Sequence, residues 1–263
     1  MMNQRQLEKE WVKIIKAEGK YIDVNLHKKE SGWQKKLDKF VPDKLADSMN
    51  AAFSKAFEVI FEKGTGLIEK TYNKEKREKE HAVDAYAADT LNSRRSMKVF
   101  GKKAKSSQNV NTLISAVEGL GMGAVGAGLP DIPVFISVLL KSIYEIATIY
   151  GFSYDSEREQ IFILKMIETA LAHESDLLKG NAELNSWLKE PSDFDIPKSV
   201  QIKRTSLALS NELLYLKFVQ GMPIVGVAGG ISDVIYQKKI TDYAELKYKR
   251  RFLSENREKP LDK

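Results

Sequence analysis

Apolar side chains recur every three or four residues along most of the chain, the spacing of helices that bury one face. Leu7, Trp11, Ile14 and Ile15 keep it in a first segment that Gly19 is expected to end, followed by a connector over residues 24–36 that contains Gly32. Pro42-Asp43 has the form of a helix start. Met49, Ala52, Phe53, Ala56, Phe57, Ile60 and Phe61 then share one face until Gly64 and Gly66 weaken the pattern. Residues 74–80 are a mixed charge block that reads as a solvated helix face with i,i+4 pairs. Asp155-Ser156-Glu157-Arg158-Glu159 is a second clear start, with carboxylates in its first turn, continued by Ile161, Leu164, Ile167, Glu168 and Leu171. A loop over residues 191–197 precedes a helical hairpin from about Lys203 to Phe252, broken at residues 221–233. No alternating strand pattern and no Asn-Gly hairpin signal occurs. The pattern predicts an all-α fold, a multi-helix bundle. Residues 1–29 are read as an N-terminal helix and connector, 30–255 as the helical domain and 256–263 as a frayed tail.

Residues 119–133, GLGMGAVGAGLPDIP, interrupt this regularity with a literal G-x-G-x-x-G. A dinucleotide loop needs a strand before the first glycine, a helix opening at the last, and an acid about 20 residues on, after a second strand. Here residues 109–118 have helical punctuation, Pro130 and Pro133 fall where the phosphate-binding helix would run, and Glu145 sits inside a helical pattern. Thr112, Ser115, Gly119, Gly123 and Gly126 instead form a small-residue stripe that lets another backbone come close. Each helical glycine costs about 1 kcal/mol relative to alanine, so the cluster implies a close contact in return. Gly119, Gly123, Gly126, Pro130 and Pro133, with Gly226 and Gly230 of a second glycine-rich turn, are therefore read as helix-packing positions of a central Gly-rich apolar hairpin.

Residues 132–150 are almost wholly apolar. The exceptions Ser137, Lys141, Glu145 and Thr148 make one narrow polar stripe, the pattern of a core or membrane-embedded helix. Asp131 stands at its start, as cap and dipole partner. A bilayer span needs about 20 predominantly apolar residues. The uncharged run between Glu118 and Asp131 is about a dozen, which favours a buried or peripheral hairpin over a spanning one.

Composition adds limits. The 263 residues are 43% hydrophobic and 30% charged, ordinary globular values. The absence of cysteine excludes disulfides, thiolate metal sites and cysteine nucleophiles, and fits a reducing cytoplasm. The N-terminal residues have no long apolar core, so no signal peptide is expected. The net charge of +6 is compatible with an anionic membrane surface or nucleic acid. Residues 92–108 carry Arg94, Arg95, Lys98, Lys102, Lys103 and Lys105 with few acids. Near the other end, Lys239, Lys247, Arg250 and Arg251 share a broad helix face with Tyr236, Ile240 and Tyr243. Cations among tyrosines suit the headgroup region of a membrane, or pairing with buried acids such as Glu118, Asp131 or Glu145. Nucleic acid is disfavoured, because no recognised reading fold accompanies the charge. His27, His81 and His173 are far apart. The pairs His81/Asp84 and His173/Asp176 have a one-face spacing that chance supplies often, and read as solvated residues rather than metal ligands. No G-x-x-x-x-G-K-[ST] and no G-x-S-x-G is present, and no cofactor is expected.

Several stretches in fixed order are more specific than any one of them. They are Trp33-Gln34 with Phe40-Val41-Pro42, the block 119–151 with Pro130-Asp131, Ile143-Tyr144-Glu145-Ile146-Ala147 and Tyr150-Gly151, then Glu157-Arg158. Residues 217–230, Tyr236, Tyr243-Ala244, Lys247-Tyr248 and Arg250-Arg251-Phe252-Leu253 follow. On these, covering most of residues 30–255, the chain resembles the EcsC protein family. The resemblance implies a bacterial protein of a family named after an operon that also encodes an ABC transporter, with no assigned molecular function and no catalytic residues to carry over. The family pattern has asparagine as often as aspartate at position 233, which argues against a shared acidic role for Asp131 and Asp233. The Pro-Asp turn is also similar to apolar hairpins appended to some membrane-associated GTPases, an analogy of pattern.

The expectation is a non-enzymatic cytoplasmic protein, peripheral at the inner face of the cell membrane or on a membrane complex. Lys102, Lys103, Lys105, Lys239, Lys247, Arg250 and Arg251 would contact the anionic surface. The rival is an enzyme with an acid–base or metal site built from Asp131, Lys141 and Glu145, with Glu118 and Asp233 as further candidates. A third reading is a soluble protein-interaction domain.

Overall fold

A computed structural model describes residues 4–26, 43–64, 131–189, 196–219 and 231–258, which form seven helices and, among these residues, no strand. The all-α expectation holds. The glycines 119, 123, 126, 226 and 230, Pro130, Glu118, the lysines 102, 103 and 105, and the charge block 74–80 lie outside the described residues, as do the side chains of Asp131 and Asp233.

α1 spans Gln4–Leu26 and buries Leu7, Glu10, Ile14, Glu18, Ile22 and Asn25. It does not end at Gly19. One helical glycine costs about 1 kcal/mol, and the buried stripe on both sides of Gly19 outweighs it. α2, Asp43–Val59, starts where Pro42-Asp43 placed it and closes in a π-helical turn, Ile60–Gly64. Its expected face is the buried one, with Phe53 edge-on to Phe135 at 6.4 Å.

α3 spans Asp131–Ile149. Pro133 sits inside its first turn, where a missing N–H leaves no helical bond unmade. The polar stripe faces the interior. Ser137 and Thr148 donate their hydroxyls to the carbonyls of Pro133 and Tyr144, each at 2.8 Å. That local bonding satisfies the two hydroxyls within the helix itself. Gly151 adopts φ 82, the Gly151 N–H bonds to Thr148 O at 3.0 Å and the Phe152 N–H to Ala147 O at 2.9 Å. This pair of bonds is a Schellman cap, and it needs the left-handed conformation that glycine supplies. By length and composition α3 is the one described helix able to cross a membrane, yet 83% of its apolar window is buried among the other helices.

α4, Glu157–Leu171, begins at Ser156, whose hydroxyl accepts the Glu159 N–H at 3.2 Å. It is buried on nearly every side. α5, Glu174–Lys189, is a helix the apolar spacing does not announce, with only Leu177, Gly180, Leu184 and Trp187 buried. α6 is Lys198–Val219 and α7 is Ile231–Glu258. α4 and α7 pack on each other and belong to two circuits of contacts. One runs through α6, α2 and α3; the other runs through α5 and α1. The apolar core fills the first circuit, with Tyr144 stacked on Tyr154 at 4.1 Å. The second circuit encloses charges.

Candidate functional site

α7 carries the cations expected on a surface, and the structure places them inside. Consecutive helical residues diverge by about 100°. Arg250 therefore reaches α1 while Arg251 reaches α4, and Lys247 lies between them against α5. Lys247 is 0% exposed. Its ammonium donates to Glu18 Oε1, to Asn181 Oδ1 at 2.6 Å and to Asn185 Oδ1 at 2.7 Å. An ammonium has three N–H bonds, and all three are taken. Arg250 donates to the other oxygen of Glu18, Asn185 Nδ2 donates to Glu18 Oε1 at 3.1 Å, and Tyr243 OH donates to Asn181 Oδ1 at 2.8 Å. Burial alone would push the Glu18 carboxyl up, but Lys247 and Arg250 overcome it and hold it below the usual range. For Lys247, burial wins over Glu18 and brings the ammonium down to about 8.

Arg251 forms a second cluster. It grips Glu159 with contacts of 3.0 and 2.8 Å, donates to Glu255 at 3.2 Å, and lies over the rings of Phe152 at 4.1 Å and Trp187 at 5.2 Å. Tyr248 OH donates to Glu159 Oε1 at 2.8 Å. Here burial outweighs Arg251 and Tyr248, and the Glu159 carboxyl stays above its usual range. Glu159 occupies the third helical position after the Ser156 cap, yet its carboxylate serves α7.

The surface expectation for Lys247, Arg250 and Arg251 is thus corrected: they are internal clamps. Their partners are Glu18 and Glu159, not Glu118, Asp131 or Glu145. Lys239 is half-buried, with its carbonyl 3.5 Å from the Tyr21 hydroxyl. Lys141 and Glu145, one turn apart on α3, are 3% and 2% exposed and are closed off from water. His173 is no solvated residue either; its Nε2 pairs with Glu212. Burial raises the Glu212 carboxyl, and His173, Tyr236 and Lys239 together more than offset this, leaving it below the usual range.

Two open cavities are lined by described residues. One, of about 600 Å³, lies between α4, α5 and α6. His173 and Glu212 stand at it, with Lys165 bonded to Glu183 at 2.9 Å and Lys179 and Arg204 on the rim. The other, of about 540 Å³, is a groove between α1 and α7 edged by Lys13, Lys20, Lys238 and Lys249. Neither is lined by Lys141 or Glu145. Among the described residues no three His, Asp or Glu side chains gather as metal ligands.

Sequence reasoning passed over Glu18, Asn181 and Asn185. The signal was there: Glu18 is four residues from Ile14 and four from Ile22, a charge inside an apolar stripe. Asn181 and Asn185 are likewise four apart, bracketing Leu184. What periodicity lacks is the pairing, since 229 residues separate Glu18 from Lys247.

Protein EcsC of Bacillus subtilis (strain 168) is 26% identical over 145 residues, 54% of this chain and 59% of that relative, so the match spans under two thirds of its length. No solved structure matches. The model of the EcsC protein family matches residues 7–253, a range that takes in all of α2 to α6 and most of α1 and α7, and the chain therefore belongs to the EcsC protein family.

Proposed function

We propose that this protein acts by binding rather than by catalysis, as a helical protein held peripherally at an anionic membrane surface or on a membrane complex. The observation that supports this is how the interior handles charge. The charged side chains buried among the described residues are Glu10, Glu18, Glu145 and Glu159 against Lys141, Lys165 and Lys247, four carboxylates to three ammoniums. Among the described residues the interior therefore absorbs no net positive charge, and their exposed cations are left outward, where they attract anionic partners. The acid and base residues that the sequence offers as catalysts on α3 are enclosed by the helices. Lys247 has no N–H left for a substrate, and Lys141 and Glu145 have no path to water.

Sedimentation with vesicles tests the reading. Vesicles rich in phosphatidylglycerol should carry the protein down at low salt and release it at high salt, whereas phosphatidylcholine vesicles should not carry it. Neutralising Lys102, Lys103 and Lys105 should weaken the association. A protein that stays wholly in the supernatant with anionic vesicles at low salt would sink the proposal and leave the interaction-domain reading.

A further inference from the structure

We infer that the outward face of α1 is the surface that lies on an anionic lipid bilayer. This rests on the membrane reading above and assigns it a place. At about 100° per residue, Arg5, Lys9, Lys13, Lys16 and Lys20 fall within an arc of about 80°. That arc lies opposite the stripe of Leu7, Ile14, Glu18 and Ile22 that α1 buries. All five cations are exposed, and Lys9, Lys16 and Lys20 have no carboxylate partner among the described residues. Two acids, Glu8 and Asp23, share the outward side, and Glu8 is engaged by Arg257 at 2.8 Å. The arc continues across the groove to Lys238, which is 70% exposed.

Lipid fits this face better than nucleic acid does. Val12 and Val24 flank the cations at 47% and 55% exposure, and Ile15, 37% exposed, stands between Val12 and the buried stripe. They are three of the six large apolar side chains exposed among the described residues, gathered on one helix. Single-stranded nucleic acid would want aromatic platforms. The aromatics of α1 are engaged elsewhere, Trp11 beneath Arg257 at 4.5 Å and Tyr21 against Tyr243 at 5.0 Å. A 23-residue helix presents a straight edge of about 34 Å, suited to a plane. Because its apolar stripe is committed to the bundle, α1 binds at headgroup depth. Lysines supply the attraction, and the two valines at the edges of the arc reach the boundary of the acyl region.

The test is vesicle sedimentation of the full chain, comparing wild type with Lys9→Glu/Lys16→Glu/Lys20→Glu and the milder Lys9→Gln/Lys16→Gln/Lys20→Gln. A control, Lys179→Glu/Lys203→Glu/Arg204→Glu, changes equal charge on α5 and α6. Circular dichroism checks that each variant is folded. At about fivefold per lysine, the glutamine variant should bind phosphatidylglycerol vesicles about 100-fold more weakly, and the glutamate variant more weakly still, with the control within about threefold of wild type. Wild-type binding lost equally in the control, or retained in the α1 variants, overturns this assignment and leaves the membrane reading standing. Absence of wild-type binding overturns both. Tighter binding to single-stranded DNA than to vesicles, with the same dependence on α1, makes nucleic acid the occupant and overturns the proposal.

Discussion

A lysine with no exposed surface is tolerable only when its charge and all its N–H bonds are met, and Lys247 meets both conditions through Glu18, Asn181 and Asn185. Removing the counter-charge should therefore cost more than the pair contributes. Glu18→Gln is expected to lower unfolding free energy by about 3–5 kcal/mol in urea titration, while the double change Glu18→Leu/Lys247→Met recovers much of that loss. Glu159→Gln should cost less, because burial already disfavours that carboxylate. The pH dependence has a definite sign. Lys247 is near 8 when folded and in the ordinary lysine range, 10.5, when unfolded, so above pH 8 the unfolded chain binds more protons. Its contribution therefore makes stability rise with pH from about 8 to 10, above which the buried tyrosines, raised from 10, oppose it. The rise should vanish in Lys247→Met, measured by thermal unfolding across that range. Glu18 has the same sign at low pH: its carboxyl is held down in the folded chain, so its stabilisation is lost as pH falls below the usual carboxylate range. At this scale the sequence shows which residues break an apolar stripe, as Glu18 does, but not whether the break faces water or a distant partner.

Helices were the legible level. The starts at Pro42-Asp43 and Ser156 and the apolar run of α3 follow from local chemistry, capping and periodicity, which need no knowledge of neighbours. α5 escaped because its buried positions are few and separated, so its helical signal is weak until α4 is beside it. Two glycines show how context decides a residue's meaning. Around Gly19 no atom lies within 4 Å of where a Cβ would stand, so Gly19→Ala should stabilise α1 by about 0.5–1 kcal/mol. At Gly180 a Cβ would meet Thr169 Oγ1 at 2.5 Å, in the crossing of α4 and α5. Gly180→Ala should destabilise by about 1–3 kcal/mol, and Thr169→Ala in the same chain should recover part of it. Equal melting shifts for the two alanine variants would contradict this account.

For the molecule as a whole, the class of fold could be read in advance and the arrangement could not. The contacts that define it join helices far apart in the chain, and no local rule contains them. The candidate site suffered most. The basic tyrosine-rich face of α7 was visible, but its destination depended on whether acids from α1 and α4 arrive to meet it. The span between Glu18 and Lys247 also bears on synthesis. At roughly 5–20 residues per second, α1 waits roughly 10–45 s for α7 to be made. For the last part of that interval, roughly 5–20 s from the completion of Ile149, the apolar length of α3 has no α7 to cover it. A nascent chain in that condition offers a ribosome-associated chaperone an extended apolar target, and it offers the membrane-insertion machinery the same one. Completion of α7 is what withdraws it.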